Sequence, residues 1–130
     1  MLPNLPKQNK QCEASFGLKF RAWHKKNPIH GVFELKYAKD GKVLAFDALA
    51  PEQIAYGLEI KRVGRLVRVV GSVGEPDYAF MKGPAYVVVR YASCFTIIDI
   101  DVWVNEKTVS ERKSLTVLRA REVATIVVEC

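Results

Sequence analysis

Cysteine and histidine are scarce in this sequence, which limits the disulfide bonds and metal sites that it can form. The three cysteines, Cys12, Cys94 and Cys130, are far apart, and no two of them have the short spacing of a zinc knuckle or a redox motif. The two histidines, His24 and His30, do not have the spacing of a helical metal-binding pair. We therefore expect reduced thiols and no metal site on these residues.

Long apolar runs, internal repeats and low-complexity tracts are also absent. The most apolar stretch, residues 85–104, is interrupted by Arg90, Asp99 and Asp101, so it does not predict a membrane span. The first seven residues contain two prolines and no continuous apolar segment, unlike a secretory signal. We expect a protein without membrane contact that resides in the cytoplasm, or in the host cytoplasm if a phage encodes it.

Length and apolar content predict one domain. A chain of 130 residues with 49% apolar composition can bury one core and is too short to divide comfortably into two. We assign residues 1–130 to a single domain and expect residues 1–8 to form a flexible N-terminal segment.

Positive charge is in excess and unevenly placed. The net charge is +6 and the sequence pI is about 9.3. Such a surplus attracts polyanions through counterion release and favours salt-sensitive binding to nucleic acid, although proteins that are merely well solvated are basic too. The candidate DNA-contacting residues are Lys10, Lys19, Arg21, Lys25, Lys26, Lys61 and Arg62.

Apolar residues at helical spacing predict three helices. The first follows Asn9 as its N-cap and ends before Asn27. Its apolar face contains Cys12, Phe16, Phe20 and Trp23. The second helix starts at Pro51 and ends at Gly64, which suits the C′ position, and the last covers residues 115–127.

Strict alternation over residues 30–37 predicts a strand, and an Asp-Gly turn at residues 40–41 predicts a hairpin with residues 43–46. The other predicted strands are residues 66–70, 78–81, 85–91 and 95–100. This order of elements predicts an α/β fold, bordering on α+β, with a central mixed sheet flanked by helices.

Glu34 and Lys36 lie on one face of the strand at residues 30–37, because side chains two residues apart on a strand point the same way. Phe33, Leu35 and Tyr37 then form the opposite, apolar face. A carboxylate can hold a divalent cation such as Mg²⁺, and a nearby ammonium can position water or neutralise charge on a phosphate. An exposed Glu-Lys pair on an edge strand without function is the alternative.

Several segments in a specific order resemble the PD-(D/E)xK nuclease superfamily. They are residues 13–23, 32–36, Phe46, 51–58, 85–91, 95–100 and 113–116. Within that superfamily the chain is similar to the small phage and bacterial Holliday junction resolvases related to recombination protein U. The resemblance covers most of the chain and implies a restriction-endonuclease-like fold, a homodimer, and Mg²⁺, or Mn²⁺ as a substitute.

The resemblance also implies roles for single residues. It makes Glu13 a helix carboxylate that supports the metal, Glu34 a direct metal ligand and Lys36 the catalytic lysine. Gln53 matches the glutamine that the family places on the next helix, where it contacts the site or the DNA backbone. The alternatives are an ordinary first-turn acid for Glu13 and an exposed helix residue for Gln53.

One departure from the family pattern concerns the metal ligands. The family has an aspartate on the strand before Glu-x-Lys, whereas residues 14–33 contain no acid. Two carboxylates are usually needed around such an ion. We expect Asp77 to supply the missing ligand from a Pro-Asp hairpin in which Val88 and Arg90 occupy the positions that Glu and Lys normally have. A turn residue is the alternative for Asp77.

Asp99 and Asp101 are the reserve candidates for the missing ligand, because we place them on one face of the strand that ends near residue 100. A solvated edge or cap is their alternative role.

Three functions follow from these residues. The first is a Mg²⁺-dependent endodeoxyribonuclease that hydrolyses phosphodiester bonds in branched DNA, as a Holliday junction resolvase does. The second is a non-catalytic nucleic-acid-binding domain that keeps a nuclease-like fold, and the absent aspartate is its main support. The third is a structural or partner-binding protein whose basic surface only aids solubility.

Overall fold

The computed structural model describes residues 13–70 and 76–130. The helices are α1 (Glu13–Lys26), α2 (Pro51–Arg62), α3 (Ile100–Val109) and α4 (Val117–Val123). The strands are β1 (Val32–Tyr37), β2 (Val43–Ala45), β3 (Arg65–Val70), β4 (Pro76–Met81), β5 (Ala85–Arg90), β6 (Cys94–Asp99), β7 (Ser114–Thr116) and β8 (Ile126–Glu129). None of the helices described is long and apolar enough to span a membrane. The predicted flexible segment 1–8, with Asn9, Lys10 and Cys12, lies outside the described residues.

A four-stranded mixed sheet forms the centre of the protein, in the order β1-β5-β6-β8. Strand β1 runs parallel to β5, and the other two pairs are antiparallel. Two further sheets have two strands each, β2 with β7 and β3 with β4. The predicted mixed α/β fold with a central sheet and flanking helices is therefore confirmed.

Apolar side chains cover both faces of the central sheet. On one face, Phe16 and Phe20 of α1 pack against Val88, Phe95 and Ile97. On the other face, a larger cluster brings α2, α3 and α4 against the sheet around the fully buried Trp103. Burial on both faces explains why β5 and β6 are apolar almost throughout, as central strands usually are.

The ends of α2 agree with the sequence. Pro51 is at the first helical turn, where a missing N–H costs nothing. Gly64 has φ of +86° and donates its N–H to the Glu59 carbonyl at 2.8 Å, which closes the helix. This helix start is important for the site, because it places Gln53 in the first turn.

The predicted hairpin between residues 30–37 and 43–46 is wrong. The turn itself forms, and Asp40 Oδ1 accepts hydrogen bonds from the N–H groups of Lys42 and Val43. However, β1 pairs with β5 and β2 pairs with β7. The reason is that β5 is buried on both faces and needs a strand on each side, so it takes β1 as a parallel neighbour.

The C-terminal part also differs from the prediction. Residues 100–109 form α3, which the sequence pattern does not predict, and the last helix ends at Val123 instead of Val127. Residues 126–129 continue as β8, the far edge of the central sheet. A run of apolar residues fits a buried helix as well as a strand, so periodicity alone does not separate them here.

Candidate functional site

Strand β1 presents Glu34 and Lys36 on one face, as the alternation predicts. Phe33, Leu35 and Tyr37 lie on the opposite face and pack against the α1 cluster. In register with β5, Glu34 lies opposite Val87 and Lys36 lies opposite Val89. The charged pair therefore lies on the side of the sheet that α2 covers.

Three of the predicted residues meet at the start of α2. Lys36 Nζ lies 3.6 Å from Glu34 Oε1, and Gln53 Nε2 donates to the same oxygen at 2.5 Å. The Gln53 Oε1 atom accepts the Ala50 N–H at 2.9 Å. Gln53 thus caps its own helix and also holds the carboxylate of Glu34, a residue 19 positions away in the sequence.

The pair is only partly accessible to solvent. The Lys36 side chain is 16% exposed, and the Glu34 side chain is 41% exposed. An ammonium so largely removed from water is costly without an anion close by, and Glu34 supplies it. The arrangement keeps the Lys36 side chain largely buried and leaves the Glu34 side chain in contact with solvent.

A cleft of about 310 Å³ opens beside Glu34, between β1, α2 and β5. Its lining residues are Val32, Phe33, Glu34, Leu49, Glu52, Gln53, Tyr56, Gly57, Ala85, Tyr86 and Ile100. Most of this surface is apolar or aromatic, and its polar side chains include the carboxylates of Glu34 and Glu52, the amide of Gln53 and the hydroxyl of Tyr56. A pocket with apolar walls and a few polar groups is the usual form of a ligand site.

The two carboxylates of the cleft, Glu34 and Glu52, are suitable as part of the ligand set of a Mg²⁺ ion. Within residues 13–70 and 76–130, no group of three or more Asp, Glu, His or Cys side chains is arranged to hold a metal ion. Mg²⁺, however, is often bound through one or two carboxylates, with water and substrate phosphate completing its shell. Glu34 and Glu52 line one cleft and provide the oxygen donors that this ion prefers.

The hairpin predicted around Asp77 does not form. Strand β4, which contains Asp77, pairs with β3 instead of β5, and Asp77 lies exposed opposite Val69. Val88 is buried in the α1 cluster, on the face opposite to Glu34. Arg90 donates to main-chain carbonyls at the end of β5, including that of Tyr91. No described contact joins Asp77 to Glu34, so its role as a ligand stays a prediction.

Asp99 and Asp101 do not share a strand face, which corrects that prediction. Asp99 is the N-cap of α3, and its Oδ1 accepts the Asp101 N–H at 2.9 Å. Both carboxylates bind Lys61 of α2, Asp99 at 2.7 Å, and Asp101 also binds Arg62 at 3.0 Å. Hydrogen bonds from Lys61 lower the pKa of Asp101, and those to Asp101 and Asp99 raise the pKa of Lys61. This cluster joins two helices.

The predicted DNA-contacting residues fall into two environments. The four of α1 are exposed: Lys19, Arg21, Lys25 and Lys26. Lys61 and Arg62 are bound to the aspartates of α3, so their charge is partly neutralised. Lys10 lies outside the described residues, and the side chain of Glu13, the first residue of α1, is also outside them.

Sequence reasoning missed three residues of the cleft, Glu52, Tyr56 and Tyr86. The sequence pattern could have identified two of them. Glu52 precedes Gln53 in the first turn of α2, and Tyr56 follows Gln53 by three residues, which is one helical turn on the same side. No sequence pattern points to Tyr86, since its position beside β1 depends on the parallel pairing of β5 with β1.

Comparison of the chain with protein-family models, with curated proteins and with solved structures yields no match. Support for a function therefore comes from the geometry of the site.

Proposed function

We propose that this protein is a metal-dependent DNA endonuclease that hydrolyses phosphodiester bonds in branched DNA, as a Holliday junction resolvase does. The single observation that carries the proposal is that Lys36 and Gln53 both contact the carboxylate of Glu34, which lines an apolar cleft. A carboxylate, an amine and an amide at this spacing provide the functions that phosphodiester hydrolysis requires.

Each side chain has a separate task in this proposal. Glu34 would bind Mg²⁺ together with Glu52, and the family resemblance adds Glu13 as a supporting carboxylate. The bound ion supplies Lewis acidity toward the scissile phosphate. Gln53 fixes the Glu34 carboxylate through the 2.5 Å hydrogen bond. Lys36 Nζ orients the attacking water and neutralises charge on the phosphate.

The reaction breaks the bond between phosphorus and the 3′ oxygen of the sugar. The oxygen of a water molecule attacks phosphorus, and the leaving oxygen takes up a proton, which yields a 5′-phosphate and a 3′-hydroxyl. A four-way junction has two opposed strands to cut, so a symmetric homodimer is the expected active form.

The exposed cations of α1 supply the binding surface for the duplex arms. Lys19, Arg21, Lys25 and Lys26 have no acidic neighbour along residues 14–33, so their charge is available to phosphates. Positioning by phosphate contacts needs no base recognition and suits an enzyme that selects the shape of a junction.

A labelled four-way junction tests the proposal. With Mg²⁺, we expect paired nicks from the wild type and at least a 100-fold slower reaction from Glu34→Gln and from Lys36→Met. The matched control is Glu129→Gln, which breaks the pair between Glu129 on β8, the opposite edge of the sheet, and Arg121 on α4, and we expect it to cut normally. Equal activity of all four proteins would refute the assignment of the site.

A non-catalytic DNA-binding domain is the second candidate. The observation in its favour is that Glu34 Oε1 already has two partners, Gln53 and Lys36, so the network can serve stability alone. Salt-sensitive junction binding without any nick in Mg²⁺ or Mn²⁺ supports this alternative against the nuclease.

A further inference from the structure

We infer that the cleft beside Glu34 receives one unstacked nucleobase of the bound DNA, with Tyr56 as its stacking wall. The inference rests on the proposed function, because it assigns a substrate subsite next to the proposed catalytic groups. It concerns recognition of the nucleotide and not the chemistry of the cut.

The size and the lining of the cleft fit one aromatic ring system. A volume of about 310 Å³ is at the lower end of the range for ligand pockets, so the space suits a base better than a whole nucleotide. Its floor is apolar and contains Leu49, Gly57 and Ile100. An apolar floor gives no binding energy to a phosphate but favours a planar base.

One aromatic side chain, that of Tyr56, forms a wall of the cleft. Tyr56 is 38% exposed, and the Arg65 guanidinium lies 4.8 Å from the centre of its ring. Arg65 lies over one face of the ring and is not among the residues that line the cleft. The rings of Tyr86 and Phe33 stack on each other at 5.4 Å on the α1 face of the sheet, so Tyr56 is the aromatic wall on the α2 face. Bases stack on such rings without regard to sequence.

The polar groups at the cleft match the edge of a base. Both amide atoms of Gln53 are engaged, with Ala50 and Glu34. Glu34 Oε1 is engaged with Gln53 and Lys36, so the carboxylate acceptors that remain at the cleft are the second oxygen of Glu34 and the carboxylate of Glu52. Carboxylates accept hydrogen bonds from amino groups such as N4 of cytosine. This chemistry favours a base that carries an amino group over thymine.

Charge near the cleft matches the rest of the nucleotide. Lys36 lies 3.6 Å from Glu34 and Arg65 lies 4.8 Å from the centre of the Tyr56 ring, so each of these two lining residues has a cation beside it. A nucleotide has the same pattern, an apolar ring joined through a sugar to an anionic phosphate. A base in the cleft therefore brings its own phosphate toward Lys36.

A double-mutant cycle in binding tests the inference. One abasic sugar replaces each nucleotide near the branch point of a four-way junction in turn, and dissociation constants are measured in EDTA, so that no strand is cut. At one position the wild type should lose about 5- to 150-fold in affinity, the equivalent of stacking one base. Tyr56→Ala should lose a similar factor on the intact junction and show no further loss at that position.

The cycle removes the main ambiguity, since the cost of unpairing the base enters both proteins equally and cancels. Tyr56→Phe keeps the ring and should keep the coupling. Tyr78→Ala, which removes a 63% exposed tyrosine from β4, should combine additively with every abasic position. If Tyr56→Ala loses its native circular dichroism, Tyr56→Leu replaces it in the cycle.

The outcomes separate the two proposals. Coupling without any cleavage in Mg²⁺ or Mn²⁺ supports the base subsite and overturns the nuclease. Cleavage with additive effects at every position supports the nuclease and overturns the subsite. If the protein neither binds nor cuts the junction, both proposals are wrong.

Discussion

Gln53 is the residue that joins the candidate site to the fold. Its side chain accepts a hydrogen bond from the N–H of Ala50, before α2 begins, and donates one to Glu34 on β1. The same amide therefore satisfies a helix end and orients a carboxylate. A change at this position affects stability and function together, whereas a change at Glu52, its exposed neighbour, affects the cleft alone.

We expect Gln53→Ala to lower the free energy of unfolding by about 1 to 2 kcal/mol, because this variant cannot form the two part-buried hydrogen bonds. Urea denaturation followed by circular dichroism measures this. Glu52→Ala is the control and should stay within about 0.5 kcal/mol of the wild type. Equal stability of Gln53→Ala and wild type would show that the two hydrogen bonds contribute nothing in solution.

At the scale of elements, one glycine lies inside α2 and another follows its end. The two residues differ in backbone conformation, because only Gly64 has a positive φ. Gly57 is in the helix, and a Cβ there would lie 3.4 Å from Ile100 and 3.6 Å from Ala85, which is ordinary contact. Gly64 has φ of +86°, and a Cβ there would clash with the ring of Phe80.

The two glycines should therefore respond to alanine in opposite directions. Gly57→Ala should raise the free energy of unfolding by up to about 1 kcal/mol, the difference in helix propensity between the two residues. Gly64→Ala should lower it by about 1 to 2 kcal/mol, because alanine is strained at this φ. Thermal denaturation of both variants checks the pair. A stabilised Gly64→Ala would contradict a left-handed backbone at the end of α2.

The aspartates at the start of α3 make the junction between α2 and α3 sensitive to pH. Lys61 and Arg62 lower the pKa of Asp101 below its ordinary value of 3.8. A lowered pKa in the folded state means that this stabilisation is complete above the unfolded pKa and is lost as the pH falls through the folded pKa. Because Asp101 is 42% exposed, solvent screens the interaction, which stays below about 1 kcal/mol.

We expect Asp101→Asn to be less stable than the wild type at pH 7, and we expect this difference to become smaller at pH 2, as the wild-type carboxyl takes up its proton. Thermal denaturation at the two values measures the difference. Asp47→Asn, at a carboxylate that is 92% exposed, should change stability little at either pH. A difference for Asp101→Asn that is the same at pH 7 and pH 2 would mean that packing, not charge, accounts for its effect.

For the whole molecule, the relevant property is where the positive charge lies. The exposed cations of α1 are free of described ion pairs, whereas Lys61, Arg62, Arg119 and Arg121 are bound to acids. The net charge of +6 therefore does not show where the available cations lie. Those of α1 are available to a polyanion, whereas those bound to acids are partly neutralised. Binding of DNA should depend on the α1 surface first.

The salt dependence of duplex binding tests this. Neutralising Lys19, Arg21, Lys25 and Lys26 together should lower the slope of log affinity against log salt by roughly 0.9 for each phosphate that the variant no longer neutralises. The control carries the same change in charge at four other exposed positions, Lys39, Lys42, Arg112 and Lys113. If the slope falls equally in both variants, net charge alone governs binding and α1 has no special role.

Local patterns were sufficient to predict much of the site. Alternation placed Glu34 and Lys36 on one face of β1, and the helix signals of Pro51 and Gly64 placed Gln53 in a first turn. These features depend on the backbone within a few residues, so the sequence by itself determined them. The same holds for the apolar face of α1, of which Phe16 and Phe20 are buried.

Tertiary structure alone decided which strands are neighbours. The sequence suggested that β1 turns back onto β2, but the central strand β5, apolar on both faces, needed a partner on each side and took β1. That pairing brings Ala85 to the cleft, and Asp77 lies on a separate sheet. Pairing between distant segments depends on how buried area is shared across the whole fold, and no short stretch of sequence contains that information.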